Sequence, residues 1–207
     1  MKVGGTTVLV TGANRGLGRA LVDALRHAGA AKIYAAARNA AAIEPGKAIE
    51  TAKLDITNGE QVAAAAARCR HVNILINNAG VARFNPALVV SWFNVPMQGS
   101  YCASKAAEWS LTRAARFELR AQGTLVVGVF AGYIDTDMTR ALALAKTSPD
   151  VIAARVLAGI EADREEILAD ERAETLRREL FKDDGPFDAN MQKTWDDHVR
   201  RQAPAPA

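Results

Sequence analysis

A tyrosine and a lysine that could carry out proton transfer stand four residues apart, as Tyr101 and Lys105 of the segment YCASK. Residues at this spacing lie on the same face of a helix. An ammonium group close to a phenol favours the phenolate and lowers the tyrosine pKa, so that the phenol becomes an acid or base usable near neutral pH. Such pairs are also common by chance on helix surfaces, so this pair alone does not establish a catalytic site.

A second candidate for chemistry is the glycine-rich segment TGANRGLG, residues 11–18. Gly12, Gly16 and Gly18 let the backbone turn tightly and approach a phosphate, while the start of a helix offers unpaired N–H groups to negative charge. The alternative is an ordinary glycine-containing turn that binds nothing. The segment follows a predicted buried strand and opens an amphipathic helix, which is the context of a dinucleotide-binding turn. This context favours a dinucleotide pyrophosphate as the ligand.

The end of the second predicted strand indicates which dinucleotide would bind. An acidic residue about 20 positions beyond the glycines would accept a hydrogen bond from a ribose 2′-hydroxyl. This chain has Arg38 there, whose guanidinium suits a 2′-phosphate, and Arg15 adds a second cation inside the glycine turn. Each arginine alone could be a solvated surface charge. Together they favour NADP(H) over NAD(H).

The elements that position these residues alternate between strand and helix, which predicts an α/β fold with a doubly wound, Rossmann-type parallel sheet in a single domain. Strands are predicted at residues 6–11, 32–37, 52–57, 72–77, 124–130 and 165–170. Helices are predicted after the glycine turn as far as Ala28, at 61–68, at 99–122, and from Pro149, capped by Ser148, to about residue 160. We expect residues 1–180 to form the NAD(P)-binding domain and residues 181–207 to form a peripheral C-terminal helix and a disordered tail.

Composition limits the other classes of function. The chain has 207 residues, 49% of them hydrophobic and 24% charged, with a net charge of +3 and no basic block. These values fit one globular domain and predict no nucleic-acid partner. No apolar run approaches the length of a membrane span, and Cys69 and Cys102 have no metal-ligand spacing. We therefore expect a cytoplasmic protein without a metal or a membrane contact.

Four segments in a fixed order resemble the short-chain dehydrogenase/reductase family: TGANRGLG, NNAG at residues 77–80, YCASK, and AGYIDTDM at residues 131–138. The resemblance implies a Rossmann-type fold and reversible hydride transfer between NAD(P)(H) and a small carbonyl or alcohol substrate. It also implies that Tyr101 exchanges the proton of the reacting oxygen, while Lys105 lowers the tyrosine pKa and holds the nicotinamide ribose. Ala131 is a mild departure, since the family often has proline there.

The same resemblance implies cofactor contacts from several segments. The glycine turn would meet the adenosine and pyrophosphate, the third strand the adenine, NNAG the adenosine and ribose, and the last segment the nicotinamide carboxamide. With Arg38, the expected cofactor-binding residues are Gly12, Asn14, Arg15, Gly16, Leu17, Gly18, Arg38, Asp55, Ile56, Asn77, Ala79, Gly80, Tyr101, Lys105, Ile134 and Thr136.

The chain departs from the family between NNAG and YCASK, where only 20 residues separate Gly80 from Tyr101. The family places a long helix and a fifth parallel strand there, and a parallel crossover needs a dozen or more residues of connection. Residues 87–101 resemble only the end of that strand and the loop after it. We therefore expect the fourth helix and most of the fifth strand to be missing. Family members usually pair through this helix, so the oligomeric state stays open.

The missing segment affects the predicted chemistry. Thirteen positions before the tyrosine, where the family has a serine that binds the substrate carbonyl, this chain has Leu88, which cannot donate a hydrogen bond. Ser91 and Ser100 are the nearest hydroxyls. Three hypotheses stay open: an NADP(H)-dependent oxidoreductase with impaired activity, a non-catalytic dinucleotide-binding protein acting as a sensor or interaction partner, and a shortened chain that folds poorly. The sequence does not identify the substrate.

Overall fold

A computed structural model describes residues 1–80, 91–183 and 185–202. Its parallel strands are β1 (Thr7–Thr11), β2 (Lys32–Ala37), β3 (Ile49–Lys53), β4 (Ile74–Ile76), β5 (Gly128–Phe130) and β6 (Glu166–Leu168). The first four strands form one sheet in the order β3-β2-β1-β4, and β5 pairs with β6 in a second sheet.

Six α-helices connect or flank these strands. They are α1 (Gly16–His27), α2 (Gly59–Arg68), α3 (Gly99–Leu119), α4 (Pro149–Glu161), α5 (Glu171–Leu180) and α6 (Gly185–Gln202). Short 3-10 turns lie at Ala40–Ala42, Arg120–Gln122 and Asp137–Thr139. The Ser148 side chain accepts a hydrogen bond from Val151 N, as expected for the cap of α4.

Helices cover both faces of the four-stranded sheet. Val8 and Val10 of β1 share one core with residues of α1 and α4, including Leu25 and Ile152. Leu9, between them, belongs to a second cluster on the opposite face, against which residues of α2 pack. Alternate side chains of a strand point to opposite faces, so β1 is buried on both. The predicted α/β fold with a Rossmann-type parallel sheet is confirmed.

The predicted bounds of the third strand are wrong, because β3 begins and ends earlier, at Ile49–Lys53. Its register pairs Ile49 with Ile33 and Lys53 with Ala37 of β2. Beyond it, the Asp55 carboxylate accepts hydrogen bonds from Thr57 N at 3.0 Å and from Thr57 Oγ1 at 2.8 Å. This local turn takes the chain out of the extended conformation and ends the strand.

The predicted strand at residues 124–130 is also shorter, at Gly128–Phe130. The Val126 carbonyl accepts a hydrogen bond from Arg116 Nε of α3 at 3.0 Å. A helix side chain thus satisfies a carbonyl that a longer strand would have offered to a neighbour. The predicted strand at residues 72–77 is also shorter than expected, at Ile74–Ile76.

The sheet is interrupted between β4 and β5. Within the described part of the chain, β4 pairs only with β1 and β5 only with β6. Because β4 has no described neighbour on its other side, Leu75 of β4 is 56% exposed. The interruption lies where the Rossmann strand order 3-2-1-4-5-6 has its fifth strand. Leu88 and the rest of residues 81–90 lie outside the described residues, and the loss of the fourth helix and most of the fifth strand stays a prediction.

Helix α1 lies very close to the turn that follows β1. A Cβ atom built on Gly18 would be 2.2 Å from Gly12 O and 2.6 Å from Asn78 Nδ2. We predict that Gly18→Ala lowers the free energy of unfolding by about 1–3 kcal/mol, because the backbone and Asn78 must move to accept the methyl group. Chemical denaturation of the purified variant measures this change.

Gly59→Ala is the matched control for that substitution. Gly59 begins α2, and no atom lies within 4 Å of a Cβ built there. Its replacement is expected to leave stability unchanged or to raise it slightly. Equal unfolding midpoints for the two variants would contradict the close contact between α1 and the turn.

Candidate functional site

A cleft of about 530 Å³ opens at the carboxyl ends of β1 to β4. Ligands of open α/β sheets bind at this edge, where the loops after successive parallel strands converge. The cleft is lined by Gly12, Asn14, Arg15, Gly16, Leu17, Ala37, Arg38, Asn39, Leu54, Asp55, Ile56, Thr57, Asn78, Ala79, Gly80, Thr136, Asp137 and Met138.

The glycine turn forms the floor of this cleft. Gly12 and Gly16 have φ values of 68° and 54°, in the left-handed region that favours glycine. A Cβ on Gly12 would lie 2.9 Å from Ala79 Cα. Arg15, the N-cap of α1, makes no side-chain hydrogen bond to the first helical turn, which contains no acidic residue. The amino terminus of α1 therefore keeps N–H groups available for an anionic ligand.

Asn78 joins the glycine turn to the end of β4. Its Nδ2 donates to Thr11 O at 3.0 Å and to Gly12 O at 3.3 Å. Its backbone N–H and that of Ala79 both donate to Thr11 Oγ1, at 3.1 and 3.0 Å. These bonds fix two loops of the cleft relative to each other. The sequence prediction chose Asn77, whereas Asn78 is the asparagine that lines the cleft.

Two arginines stand at the cleft without an ion pair to any described residue. They are Arg15 of the glycine turn and Arg38, which follows β2. Backbone and side-chain hydrogen bonds from Thr57 lower the pKa of the nearby Asp55, and the Arg38 charge contributes to the same direction. Since neither guanidinium is paired within the described chain, both can bind an added anion.

Most of the predicted cofactor residues lie together in this cleft. Those that line it are Gly12, Asn14, Arg15, Gly16, Leu17, Arg38, Asp55, Ile56, Ala79, Gly80 and Thr136. The lining excludes Gly18, Asn77, Tyr101, Lys105 and Ile134. Gly18 lies beneath the turn, and Ile134 packs against the main core.

The sequence prediction also missed several residues of the cleft, among them Asn39, Thr57, Asp137 and Met138. These residues lie directly beside predicted site residues in loops after strands, and that position in the sequence could have predicted them.

Tyr101 lies in the first turn of α3, packed in an aromatic cluster that includes Trp92, Phe93 and Tyr133. Burial raises the pKa of Tyr101 to about 12, with smaller contributions from the Glu108 charge and Cys102. The expected lowering of this pKa by Lys105 is not found. Lys105 Nζ instead lies 2.6 Å from Glu108 Oε2.

The two serines considered as replacements for the missing carbonyl donor differ in their surroundings. Ser91 is 8% exposed, and its Oγ has no hydrogen-bond partner in the described structure. A buried hydroxyl without a partner is unusual, because burial without a hydrogen bond is unfavourable. Ser100 is exposed, next to Tyr101. Ser91 is therefore the hydroxyl that has an unused hydrogen-bonding capacity.

The described residues lack two other kinds of site, a metal centre and a membrane span. These residues contain no group of three or more His, Cys, Asp or Glu side chains placed to hold a metal ion. None of the described helices combines the length and the apolar character needed to span a membrane.

A family model, a curated relative and solved structures all relate this chain to the same family. The short chain dehydrogenase family model matches residues 6–92 and 89–147, more than half of the chain. A 3-oxoacyl-acyl-carrier-protein reductase of Vibrio harveyi is 29% identical over 195 residues, covering 69% of this chain and 79% of the reductase.

Solved structures agree with this match. A short chain dehydrogenase from Burkholderia cenocepacia in complex with NADP has a TM-score of 0.87 and 30% identity, covering 92% of this chain and 99% of that one. A short chain dehydrogenase/reductase from Burkholderia phymatum in complex with NAD has a TM-score of 0.72 at 19% identity, covering 100% of this chain and 99% of that one, and so supports the fold alone. The chain therefore belongs to the short-chain dehydrogenase/reductase family of oxidoreductases.

Proposed function

We propose that this protein binds NADP(H) and transfers a hydride between the nicotinamide and a small carbonyl or alcohol substrate, with turnover slowed by an incomplete substrate site. The observation that carries the cofactor assignment is the cleft at the carboxyl ends of β1 to β4. It combines two glycines in the left-handed region, an uncapped helix amino terminus and two unpaired arginines.

The residues of the cleft fit the parts of a dinucleotide. The glycine turn and the start of α1 would hold the pyrophosphate, because Gly12 lets the turn pack closely against Ala79 and the amino terminus of α1 has no side-chain cap. Asp55 and Ile56 would contact the adenine. Arg38 and Arg15 would bind a 2′-phosphate. When bound, the nicotinamide supplies or accepts the hydride.

The preference for NADP(H) rests on these two arginines. Both dinucleotides occur in the similar solved structures, since the Burkholderia cenocepacia protein holds NADP and the Burkholderia phymatum protein holds NAD. In this chain no acidic side chain follows β2, and Arg38 takes that position. A 2′-phosphate gives a guanidinium there a charged partner, whereas a 2′-hydroxyl leaves it unpaired.

Impaired turnover is proposed from the catalytic end of the molecule. Tyr101 would transfer the substrate proton, yet its phenol is stabilised in the neutral form and Lys105 is paired with Glu108. Leu88 takes the position of the carbonyl-binding serine in the family pattern. Loss of one positioned donor for a developing oxyanion lowers rates by about 10²–10³. Ser91, with its unused hydroxyl, is the candidate replacement.

Three observations support the loss of an internal segment. The sheet is interrupted between β4 and β5 within the described residues. The family model matches this chain as two hits rather than one, over residues 6–92 and 89–147. The alignment with the Vibrio harveyi reductase runs over 195 residues but covers only 69% of this chain, so the reductase contains aligned positions that this chain lacks.

The alternative is a non-catalytic dinucleotide-binding protein. The Lys105–Glu108 pair and the raised pKa of Tyr101 favour it, because both disfavour proton transfer by the tyrosine. A cytoplasmic location and the absence of a nucleic-acid partner stay predictions, as do the domain bounds of 1–180 and 181–207.

The first prediction from this proposal concerns cofactor choice. Wild-type protein should bind NADPH more tightly than NADH, and Arg38→Asp should weaken NADPH binding by about 10–100-fold. Hydrogen bonds to charged groups contribute about 1.5–3 kcal/mol, and an aspartate would also repel the 2′-phosphate. Fluorescence titrations with both dinucleotides measure the two affinities.

Arg164→Asp makes the same change of charge at an exposed position before β6, at the amino ends of the strands. This control should leave both affinities unchanged. Equal affinities of the wild-type protein for the two dinucleotides, or an NADH preference that Arg38→Asp does not alter, would contradict the assignment to NADP(H).

A second prediction concerns turnover. NADPH-dependent reduction of a panel of aldehydes, ketones and quinones should be slower by about 10²–10³ than the usual enzymatic range of about 1–10³ s⁻¹. Tyr101→Phe should reduce the remaining rate further, because it removes the proton donor. Ser91→Ala should reduce it only if the buried hydroxyl has replaced the family serine.

Steady-state absorbance assays on the three proteins separate the hypotheses. Ordinary rates for the wild-type protein would show that an unpredicted donor has replaced the serine. A slow rate that Tyr101→Phe leaves unchanged would come from the cofactor alone and would favour the binding-protein alternative.

A third prediction concerns self-association. The helix through which family members usually pair is proposed to be missing, and α3 exposes the apolar side chains of Leu111 and Phe117, each 70% exposed. We expect a monomer or a weak, rearranged dimer, which Leu111→Glu shifts toward the monomer. Light scattering over a range of concentrations measures this. A compact, salt-insensitive dimer or tetramer at low concentration would be the opposite result.

A further inference from the structure

Lys105 has two side chains within reach, one helical turn away on either side. Tyr101 precedes it by four residues and Glu108 follows it by three, and both spacings bring side chains together on a helix. The Lys105 ammonium lies with Glu108, at 2.6 Å between Nζ and Oε2. The Lys105 side chain is only 22% exposed, whereas that of Glu108 is 57% exposed. The lysine is thus half enclosed by protein while its charge is turned toward a carboxylate at the surface.

The two partners compete for one charge. A carboxylate is ionised at neutral pH and attracts the ammonium directly, whereas a neutral phenol offers only a hydrogen bond. The ammonium therefore favours Glu108 as long as Tyr101 keeps its proton. Glu108 also acts on Tyr101 itself, because its negative charge disfavours the phenolate.

We propose that Glu108 is a positioning residue that holds the Lys105 ammonium away from the Tyr101 phenol and so restrains proton transfer by Tyr101. The part of this inference that concerns catalysis rests on the proposed oxidoreductase function. The part that concerns the three side chains does not, because it can be measured on the free protein.

Two other cations contact the aromatic cluster around Tyr101, Arg172 over the Tyr133 ring and Arg177 over the Trp92 ring, at 5.2 Å from the Trp92 ring centroid, but neither contributes to the pKa shift of Tyr101. Its aromatic cluster includes Cys102 of the same helix and Tyr133 from the loop after β5. Arg172 of α5 lies over the Tyr133 ring, with its guanidinium carbon 4.9 Å from the ring centroid. Trp92 and Phe93, which also pack there, carry no charge.

The experiment is a titration of the tyrosine side chains by NMR, with tyrosine labelled at Cζ. The chain has three tyrosines, so Tyr101→Phe identifies the signal of Tyr101. In Glu108→Gln, the pKa of Tyr101 should fall by one unit or more, which multiplies the phenolate fraction at a pH below that pKa about tenfold. Glu118→Gln removes one exposed carboxylate further along the same helix and should leave the signal unchanged.

A second background tests whether Glu108 acts through the lysine. In Lys105→Gln, adding Glu108→Gln should lower the pKa of Tyr101 by much less than it does in the wild-type background, because no ammonium is left to approach the phenol. An equal fall in both backgrounds, or no fall in either, would overturn the positioning role. Glu108→Ala provides a second variant at this exposed position and should behave as Glu108→Gln.

Activity gives a separate readout. If the protein turns over, Glu108→Gln should raise kcat for carbonyl reduction at neutral pH severalfold, with little change in the affinity for NADPH. If no variant turns over, the proposed oxidoreductase function fails while the titration still decides the role of Glu108. A shifted titration with an unchanged kcat in an active protein would overturn the restraint on proton transfer.

Discussion

The close contact between Gly18, Gly12 and Asn78 is the constraint on which the candidate site depends. There the first helix, the turn after the first strand and the end of the fourth strand meet with no room for a side chain on either glycine. The Asn78 side chain donates hydrogen bonds to the carbonyls of Thr11 and Gly12. This packing places the amino terminus of α1 at the floor of the cleft, and the proposed contacts to the pyrophosphate follow from that position.

The predicted site residues fall into two groups, those that line the cleft and those that lie outside its lining, among them Tyr101 and Lys105. Most of the cleft is lined by the loops after β1 to β4, all of which pair in one sheet, and Thr136, Asp137 and Met138 from the segment after β5 complete the lining. Tyr101 and Lys105 belong to α3, which follows the interruption of the sheet. The deletion proposed at that point would leave the cofactor half with its own hydrogen bonds but would remove the strand that positions the tyrosine against it. Under this proposal, cofactor binding and catalysis depend on separate parts of the fold.

Sequence patterns predicted the fold wherever local chemistry is decisive. The strand at Lys32–Ala37 and the helix capped by Ser148 were predicted within one residue of where they lie, because a buried apolar run and a Ser-Pro cap act locally. The third strand was misplaced because its end is set by the side chain of Asp55 turning back on Thr57, and its start by register with β2. Such long-range pairing is not visible in one strand's composition.

The candidate site was predictable in its segments but not in its details. NNAG contains two asparagines, and only packing against the glycine turn selects Asn78 over Asn77. The effect of Lys105 on Tyr101 was inferred from helical spacing, which does not say which of two neighbours a flexible ammonium joins. In the structure the ammonium lies beside Glu108, a contact that becomes evident only in the folded chain.

The most direct measurement is an equilibrium titration of the purified protein and of Lys105→Ala with NADPH, followed by nicotinamide fluorescence. We predict saturable binding of one NADPH per chain, with an affinity that Lys105→Ala changes by less than about tenfold, since Lys105 does not line the cleft. Absence of saturable binding, or its loss in Lys105→Ala, would contradict the claim that the cofactor half of this protein is complete without its catalytic half.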